Sequence, residues 1–249
     1  MSILGIIPAR YASTRFPGKP LIDINGRAMI LRVYDQALMA EVLDDVVVAT
    51  DDQRIFNHVL NEGFHVVMTS QDHRSGTDRC LEAMDKWQQQ TGRNFDHVIN
   101  IQGDEPFIHP GQIKKVAALL TAGNASIATL AKSIQRREEI FNPNVVKVVF
   151  NKDMNAIYFS RCPIPYLREV NEIQWMKKHA HYKHIGIYGY RTAILREACS
   201  LAPGNLEQLE ALEQLRWLEH GLQIRIDLTG EESVAIDTPD DLLKITNTA

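Results

Sequence analysis

The chain reads as an α/β protein with a mostly parallel sheet and helices on both faces. Two features carry that expectation. Short apolar runs alternate with amphipathic stretches through the first half, and charged, glycine-bearing segments follow the first and fourth of those runs. In an open parallel sheet joined by right-handed crossovers, such segments sit beyond the carboxyl ends of the strands, where ligands bind.

Ile3–Pro8, Val46–Ala49, Phe64–Met68 and His97–Gln102 each have the length and apolar content of a short buried strand. Helices are expected between them at Ala28–Ala40, Asp52–Asn61 and Thr77–Gln89. In the first, Ile30, Val33, Tyr34, Ala37 and Leu38 recur at helical spacing and form one face. Gly63 stands where a left-handed residue would end the second helix, and Ser75 or Thr77 can cap the third. In the second half, Ala125–Ala131, Val145–Phe150 and Met154–Phe159 are strand-like, with Asn151-Lys152-Asp153 as a turn. An irregular stretch from Ser160 to Tyr182 follows, of a length uncommon unless functional or engaged with a partner. Then come a strand at His184–Tyr190, helices near Thr192–Ser200 and Leu206–His220, strands near Gln223–Asp227 and Ser233–Ile236, and a helix from Pro239.

At 249 residues with 45% apolar content, the chain is long enough for a core that needs no disulfide or zinc staple. The 27 Lys and Arg against 31 Asp and Glu give a net charge of −4, so no basic surplus exists to neutralise a nucleic-acid backbone. The cysteines, Cys80, Cys162 and Cys199, are far apart with no C-x-x-C, which fits thiols in a reducing compartment. Ile3–Ile7 is too short for a signal peptide, and no apolar run approaches the ~20 residues of a membrane span. A cytoplasmic protein that binds neither membrane nor nucleic acid is expected.

Three segments carry chemistry. After the first strand, Arg10, Arg15 and Lys19 fall within ten residues, with Gly18 allowing close backbone approach. Arginine forks and a lysine point charge suit a polyphosphate. The loop is neither a Walker A motif nor G-x-G-x-x-G, and on charge alone it is equally a solvated basic loop. Gln102-Gly103-Asp104-Glu105-Pro106 follows the fourth apolar run. An acid there, facing a cationic loop, is placed to hold magnesium, which takes one or two carboxylates and keeps several waters. Asp237 is the candidate partner, although from the residues alone, as the one before Thr238-Pro239, it reads more readily as a helix N-cap. Finally, His73-Arg74-Ser75-Gly76-Thr77-Asp78-Arg79 places arginines around a turn that opens a helix, a site for an anionic or carbonyl-rich ligand or simply a capped helix.

Together, in this order and spacing, these segments resemble the CMP-Kdo synthetases, the 3-deoxy-manno-octulosonate cytidylyltransferases. The likeness continues through Asn142–Lys147, Tyr158–Arg161, Lys183–Tyr190, Leu209–Trp217 and Ile236–Pro239, so it covers nearly the whole chain. Cys162 departs from it, standing where Ser or Ala is expected.

The resemblance implies a Rossmann-like nucleotidyltransferase fold in a single domain. About 1–123 would bind nucleotide, and a smaller mixed region within about 124–249 would bind sugar and dimerise. It implies that Arg10, Arg15 and Lys19 hold the CTP triphosphate. Arg74, Ser75 and Gln102 would define the cytosine and ribose pocket, with Ala9 and Gly76 also lining the nucleotide site. Asp104 and Asp237 would hold Mg2+, and Arg10, Lys19, Asp104 and Asp237 would be the catalytic set. Arg79, Arg161, His184, Tyr190, Glu213 and Gln214 would contact the sugar acid. On a continuous helix Leu209, Leu212 and Leu215 would face the core, with Glu210, Glu213 and Trp217 on an adjacent stripe; Glu213 paired with Arg216 on a solvated face is the alternative. The implied enzyme joins CTP to 3-deoxy-D-manno-octulosonate (Kdo) as a homodimer and feeds lipopolysaccharide assembly. The neighbouring readings are a sialic-acid-type or 8-amino-Kdo cytidylyltransferase, a glycosyltransferase of similar architecture, and a nucleotide-binding regulator without turnover.

Overall fold

Alternation in the first strand sets the architecture. In β1 (Ile3–Ala9), Ile3, Ile7 and Ala9 pack to one side while Leu4 and Ile6 pack to the other. Val46 and Val48 of β4 (Asp45–Thr50) join the first side, and Val47 and Ala49 join the second. A strand buried on both faces needs a helical layer on each. The structure, a computed structural model, describes residues 1–12, 16–73, 75–123, 125–232, 235–236, 238 and 240–242.

The first layer consists of α1 (Met29–Met39), α2 (Gln53–Asn61) and α4 (Pro110–Thr121). The second contains α3 (Gly76–Thr91), α7 (Thr192–Ser200) and α9 (Gln214–Glu219). The strand order is β11-β7-β10-β6-β1-β4-β5, with β5 at Val66–Met68, β6 at His97–Asn100, β7 at Ile127–Ser133, β10 at Tyr182–Arg191 and β11 at Ile224–Leu228. β6, β1, β4 and β5 run parallel, as do β7 and β11, while β10 is antiparallel to both of its neighbours. A hairpin of β8 (Lys147–Phe150) and β9 (Ala156–Ser160) joins at Lys147, opposite Lys183 of β10. A small hairpin, β2 (Asp23–Ile24) and β3 (Arg27–Ala28), leads into α1. No helix among the described residues is long and apolar enough to cross a membrane.

Sequence periodicity places most of these elements, and the differences have local causes. Helix α4 was not among the sequence-predicted elements, although Ile113, Val116, Ala117 and Leu120 carry its buried face. Its N-cap is His109, outside the usual Ser, Thr, Asp and Asn set. The His109 Nδ1 accepts from the Gly111 N–H at 3.1 Å, and the Gln112 side chain accepts from the His109 N–H at 3.2 Å. The expected helix at 206–220 is two helices, α8 (Asn205–Glu210) and α9, broken at Ala211 with φ +49°. The break rotates the two ends relative to one another: Leu212 and Leu215 are buried as expected, whereas Leu209 is exposed and Trp217 turns fully into the core. Arg216 pairs with Glu207 across the break at 2.6 Å and leaves Glu213 to other partners. The 161–181 excursion holds a 3-10 turn (Glu172–Gln174) and α6 (Trp175–Lys178), α5 (Arg137–Phe141) packs beside it, and Trp175, Ile134 and Ile140 bury there as a small satellite core. Of the strand expected at 233–236, Ser233 and Val234 lie outside the described residues, and Ala235 and Ile236 are not in a strand.

Gly189 of β10 sits beneath α4 with no room to spare. A Cβ there would stand 2.5 Å from Val116 Cγ1 and 2.7 Å from Leu120 Cδ1. Gly189→Ala is expected to lower unfolding free energy by about 1–3 kcal/mol through overpacking, read from urea denaturation. An unchanged midpoint would mean that the α4–β10 contact is looser than drawn.

Candidate functional site

The carboxyl ends of β1, β4 and β6 lie side by side at one edge of the sheet. Ala9 ends β1 and is buried, and Arg10 follows it onto the rim. The Arg10 guanidinium donates to the carbonyls of His73, at 2.7 Å, and Ser75, at 3.4 Å, and so ties the β1 loop to the loop before α3. Gly18 adopts φ +73°, which favours glycine, and its N–H donates to the Tyr11 carbonyl at 3.0 Å, closing the loop on itself. A 3-10 turn over Lys19–Leu21 then turns Lys19 back across the strand ends. Its ammonium meets Asp104 Oδ2 at 2.9 Å, with side chains 13% and 31% exposed. Arg15 lies outside the described residues.

Asp104 is set by its neighbour. A Cβ on Gly103 would stand 2.5 Å from the Pro8 carbonyl oxygen, so the turn after β6 rests directly on the end of β1. The Asp104 carbonyl accepts the Ile236 N–H at 3.0 Å, which brings the chain just before position 237 to the same place. Asp237 itself lies outside the described residues. The helix that follows is capped by Thr238: its N–H donates to Asp241 Oδ2 at 3.0 Å, and its hydroxyl accepts the Asp241 N–H at 3.3 Å. The N-cap role once open to Asp237 is therefore filled. Among the described residues no three His, Cys, Asp or Glu gather as a metal cluster. The described donor is one hard, one-third-exposed carboxylate, which suits a cation that takes one or two carboxylates and keeps its waters.

Before α3, Ser75 is the N-cap, its hydroxyl accepting the Asp78 N–H at 3.1 Å, and Gly76 is the first helical residue. Arg74 lies outside the described residues. Glu82 accepts the Ser70 N–H at 2.8 Å, bonds to His73 Nε2 and pairs with Lys86 at 2.8 Å. Burial works to raise the Glu82 carboxyl, but Lys86, the Ser70 N–H and His73 outweigh it and pull it down to about 2. Gln102 is half-buried between the β6 end and Gly186.

A second cluster lies beneath α3 and α9. Thr77 donates its hydroxyl to Glu213 Oε2 at 2.7 Å. Burial raises the Glu213 carboxyl above its ordinary range, against the bonds from Thr77 and Ser75. Gln214, buried at the start of α9, follows it. Tyr190 and Tyr188 lie edge-on to Trp217 at 5.6 and 5.1 Å, and burial pushes both phenols up. His184 is 5.1 Å from Tyr188, and its Nε2 lies 2.9 Å from Thr129 Oγ1. Burial drives His184 down to about 3, so its ring is neutral at physiological pH.

Four of the six expected sugar contacts, His184, Tyr190, Glu213 and Gln214, gather on this side of the sheet. Arg79 and Arg161 do not. Arg79 lies two residues from Thr77 and so leaves α3 on its opposite face. Fully buried, it donates to Thr69 Oγ1 at 2.5 Å and Asp51 Oδ2 at 2.7 Å. Arg161 donates to the carbonyls of Pro143, Glu210 and Ala211 at 3.0, 2.6 and 3.2 Å, bracing the α8–α9 break. The sequence reading also passed over Asn100 and Tyr188, which face one another across β6 and β10. Each is more than nine-tenths buried, and Asn100 Oδ1 and Tyr188 Oη have no hydrogen-bond partner among the described residues. A polar residue ending an otherwise apolar run, opposite an i, i+2 tyrosine pair, was the available signal.

Residues 4–226 match the cytidylyltransferase family profile. A Parabacteroides distasonis protein named 3-deoxy-manno-octulosonate cytidylyltransferase is 52% identical over 248 residues, covering 98% of this chain and 96% of its own. One of the same name from Cytophaga hutchinsonii is also 52% identical, covering 100% and 98%. Among solved structures, CMP:2-keto-3-deoxy-manno-octonic acid synthetase complexed with CTP superposes with a TM-score of 0.90 at 40% identity, covering 100% of this chain and 98% of that one. The chain therefore belongs to the cytidylyltransferase family, among the 3-deoxy-manno-octulosonate cytidylyltransferases.

Proposed function

We propose that this protein transfers the cytidylyl group of CTP to the anomeric hydroxyl of Kdo, forming CMP-Kdo and pyrophosphate for lipopolysaccharide assembly. The observation that carries the reading is the Lys19–Asp104 pair, at 2.9 Å, where the β1 loop meets the turn after β6. It brings together the cation here assigned to the triphosphate and the carboxylate here assigned to magnesium.

In the reaction the hydroxyl oxygen bonds to the α-phosphorus, the bond from that phosphorus to the β-bridging oxygen breaks, and the hydroxyl proton is released. Such transfers need positioning and charge neutralisation more than covalent help. Lys19, Arg10 and Arg15 hold the triphosphate and take up charge that builds on the bridging oxygen. Arg74, Ser75, Gly76, Gln102 and Ala9 line the cytosine and ribose. Asp104 and Asp237 would hold Mg2+, which when bound draws charge from the phosphate oxygens. The filled cap at Thr238 supports including Asp237. His184, Tyr190, Glu213 and Gln214 face the sugar acid, and Asn100 and Tyr188 bring buried polar atoms that hydroxyls would satisfy.

The nucleotide half, about 1–123, and the sugar half, about 124–249, share the single sheet. Homodimerisation is assigned to the β8–β9 hairpin and the 161–181 segment, where Ile157, Tyr166 and Ile173 are 60%, 74% and 73% exposed. A cytoplasmic location goes with consumption of CTP.

Pyrophosphate release tests the reading, with CTP or UTP, Kdo or N-acetylneuraminate, and magnesium or a chelator. Release requiring CTP, Kdo and metal together is expected. Release with N-acetylneuraminate in place of Kdo would contradict the sugar assignment, and silence with both would contradict the reaction. Lys19→Met is expected to cut kcat/KM for CTP by on the order of 10²–10³ with an unchanged circular dichroism spectrum; near-wild-type turnover would remove Lys19 from the catalytic set.

Glu213 yields a pH prediction. Because burial holds its folded pKa above the unfolded value, stability falls as pH rises from the ordinary carboxylate range up to that folded pKa, then levels off. Glu213→Gln is expected to be more stable than wild type at pH 7, with a flattened slope above the carboxylate range and a raised KM for the sugar acid. A less stable variant with unchanged KM would count against both assignments.

A further inference from the structure

Tyr11 and Arg54 do not belong to the set just described, yet they meet at the base of the phosphate loop. The Arg54 guanidinium carbon lies 3.2 Å from the Tyr11 ring centroid. Arg54 is not loosely draped there. Its Nε and Nη2 form a fork on Asp52, at 2.9 Å to Oδ1 and 2.7 Å to Oδ2. Asp52 is itself fixed as the N-cap of α2, accepting the Arg54 N–H at 2.9 Å, while its own N–H donates to Thr50 Oγ1 at 3.2 Å. The plane of the guanidinium is thus referenced to the end of β4 and the start of α2, both parts of the rigid sheet layer.

On the loop side, Tyr11 is held by both its ring and its backbone. A Cβ on Gly18 would stand 3.1 Å from the Tyr11 Cζ and hydroxyl oxygen, so the ring packs flush against the Gly18 backbone. The Gly18 N–H donates to the Tyr11 carbonyl at 3.0 Å. Arg10 precedes this closure and Lys19 follows it. Fixing the ring therefore fixes the two ends of the segment that presents the triphosphate cations. A flat aromatic between a pinned guanidinium and a glycine backbone forms a latch without spending a phosphate-binding charge, because the Arg54 charge is already matched by Asp52.

We propose that Arg54 is a positioning residue for nucleotidyl transfer, clamping Tyr11 so that Arg10 and Lys19, on either side of the Tyr11–Gly18 contact, are preset for the triphosphate. The inference rests on the cytidylyl-transfer reading above. Preorganisation of this kind acts on CTP binding and leaves the sugar side untouched.

Steady-state kinetics with CTP and Kdo varied separately test it, using wild type, Arg54→Ala, Arg54→Lys, Tyr11→Ala, Tyr11→Phe and the double alanine variant. Arg54→Ala and Tyr11→Ala are each expected to raise KM for CTP by about three- to tenfold, the scale of an exposed cation–π contact with some loop disorder added. Their kcat and KM for Kdo should stay within about twofold of wild type, and the double variant should be no worse than the poorer single one. Tyr11→Phe keeps the ring and should behave as wild type. Arg54→Lys lacks the planar fork and should resemble Arg54→Ala. Additive losses in the double variant, equal rises in both KM values, or an unchanged KM for CTP in Arg54→Ala would overturn the latch while wild-type turnover upheld the enzyme reading. Wild type without CTP turnover would overturn both.

Discussion

Gly103 has no room for a side chain, and much of the site follows from that. With its Cα pressed onto the Pro8 carbonyl, the turn after β6 cannot lift from the end of β1. Asp104, the next residue, is thereby delivered to Lys19, and the Asp104 carbonyl takes the Ile236 N–H, drawing the C-terminal segment to the same point. The ion pair is a consequence of the close packing rather than its cause. With one partner about one-third exposed, it adds modestly to stability.

Across the sheet, the second cluster works by the opposite logic. Glu213, His184, Tyr188 and Tyr190 are polar groups held largely away from water, and each is pushed toward its neutral form. Hydroxyls, an amide, an imidazole and one carboxyl gather there, whereas the ends of the parallel strands carry the Lys19–Asp104 ion pair. One sheet therefore presents ion-paired chemistry at the ends of its parallel strands and buried polar chemistry beside its antiparallel strand. The antiparallel β10 makes this possible, because it sets Tyr190 opposite Val98 and Tyr188 opposite Asn100 and then carries His184 past the end of β6.

Much of this was legible in the sequence wherever a period or a turn residue carried it. The short apolar runs of β1 and β4, helical spacing in α1 and Gly63 beyond α2 all translate directly into structure. The phosphate loop and Gln102–Pro106 were recognisable as a charged pair facing one another. What escaped depended on three-dimensional partners. His109 is an atypical cap, so α4 went unassigned despite its apolar stripe. Ala211 takes a left-handed conformation that its residue type disfavours, and the break it makes exposes Leu209 and redirects Glu213. Arg79 is in the right stretch of chain but on the wrong side of its helix, where Asp51 consumes its charge. Arg161 spends its donors on carbonyls at the α8–α9 break. In both cases residue type suggested a ligand contact, and the structure shows the side chain bonded to protein groups instead.

The account's central claim is that Lys19 and Asp104 are the phosphate end and the metal end of one preformed pair. Calorimetric titration of CTP into wild type and Asp104→Asn, each with and without magnesium, addresses it. Without metal, the variant should bind CTP at least as tightly as wild type, because Lys19 is released from its partner and a repelling carboxylate is gone. Magnesium should tighten binding to wild type and do little for the variant. Weaker metal-free binding by Asp104→Asn, or a full magnesium gain retained in it, would contradict the claim.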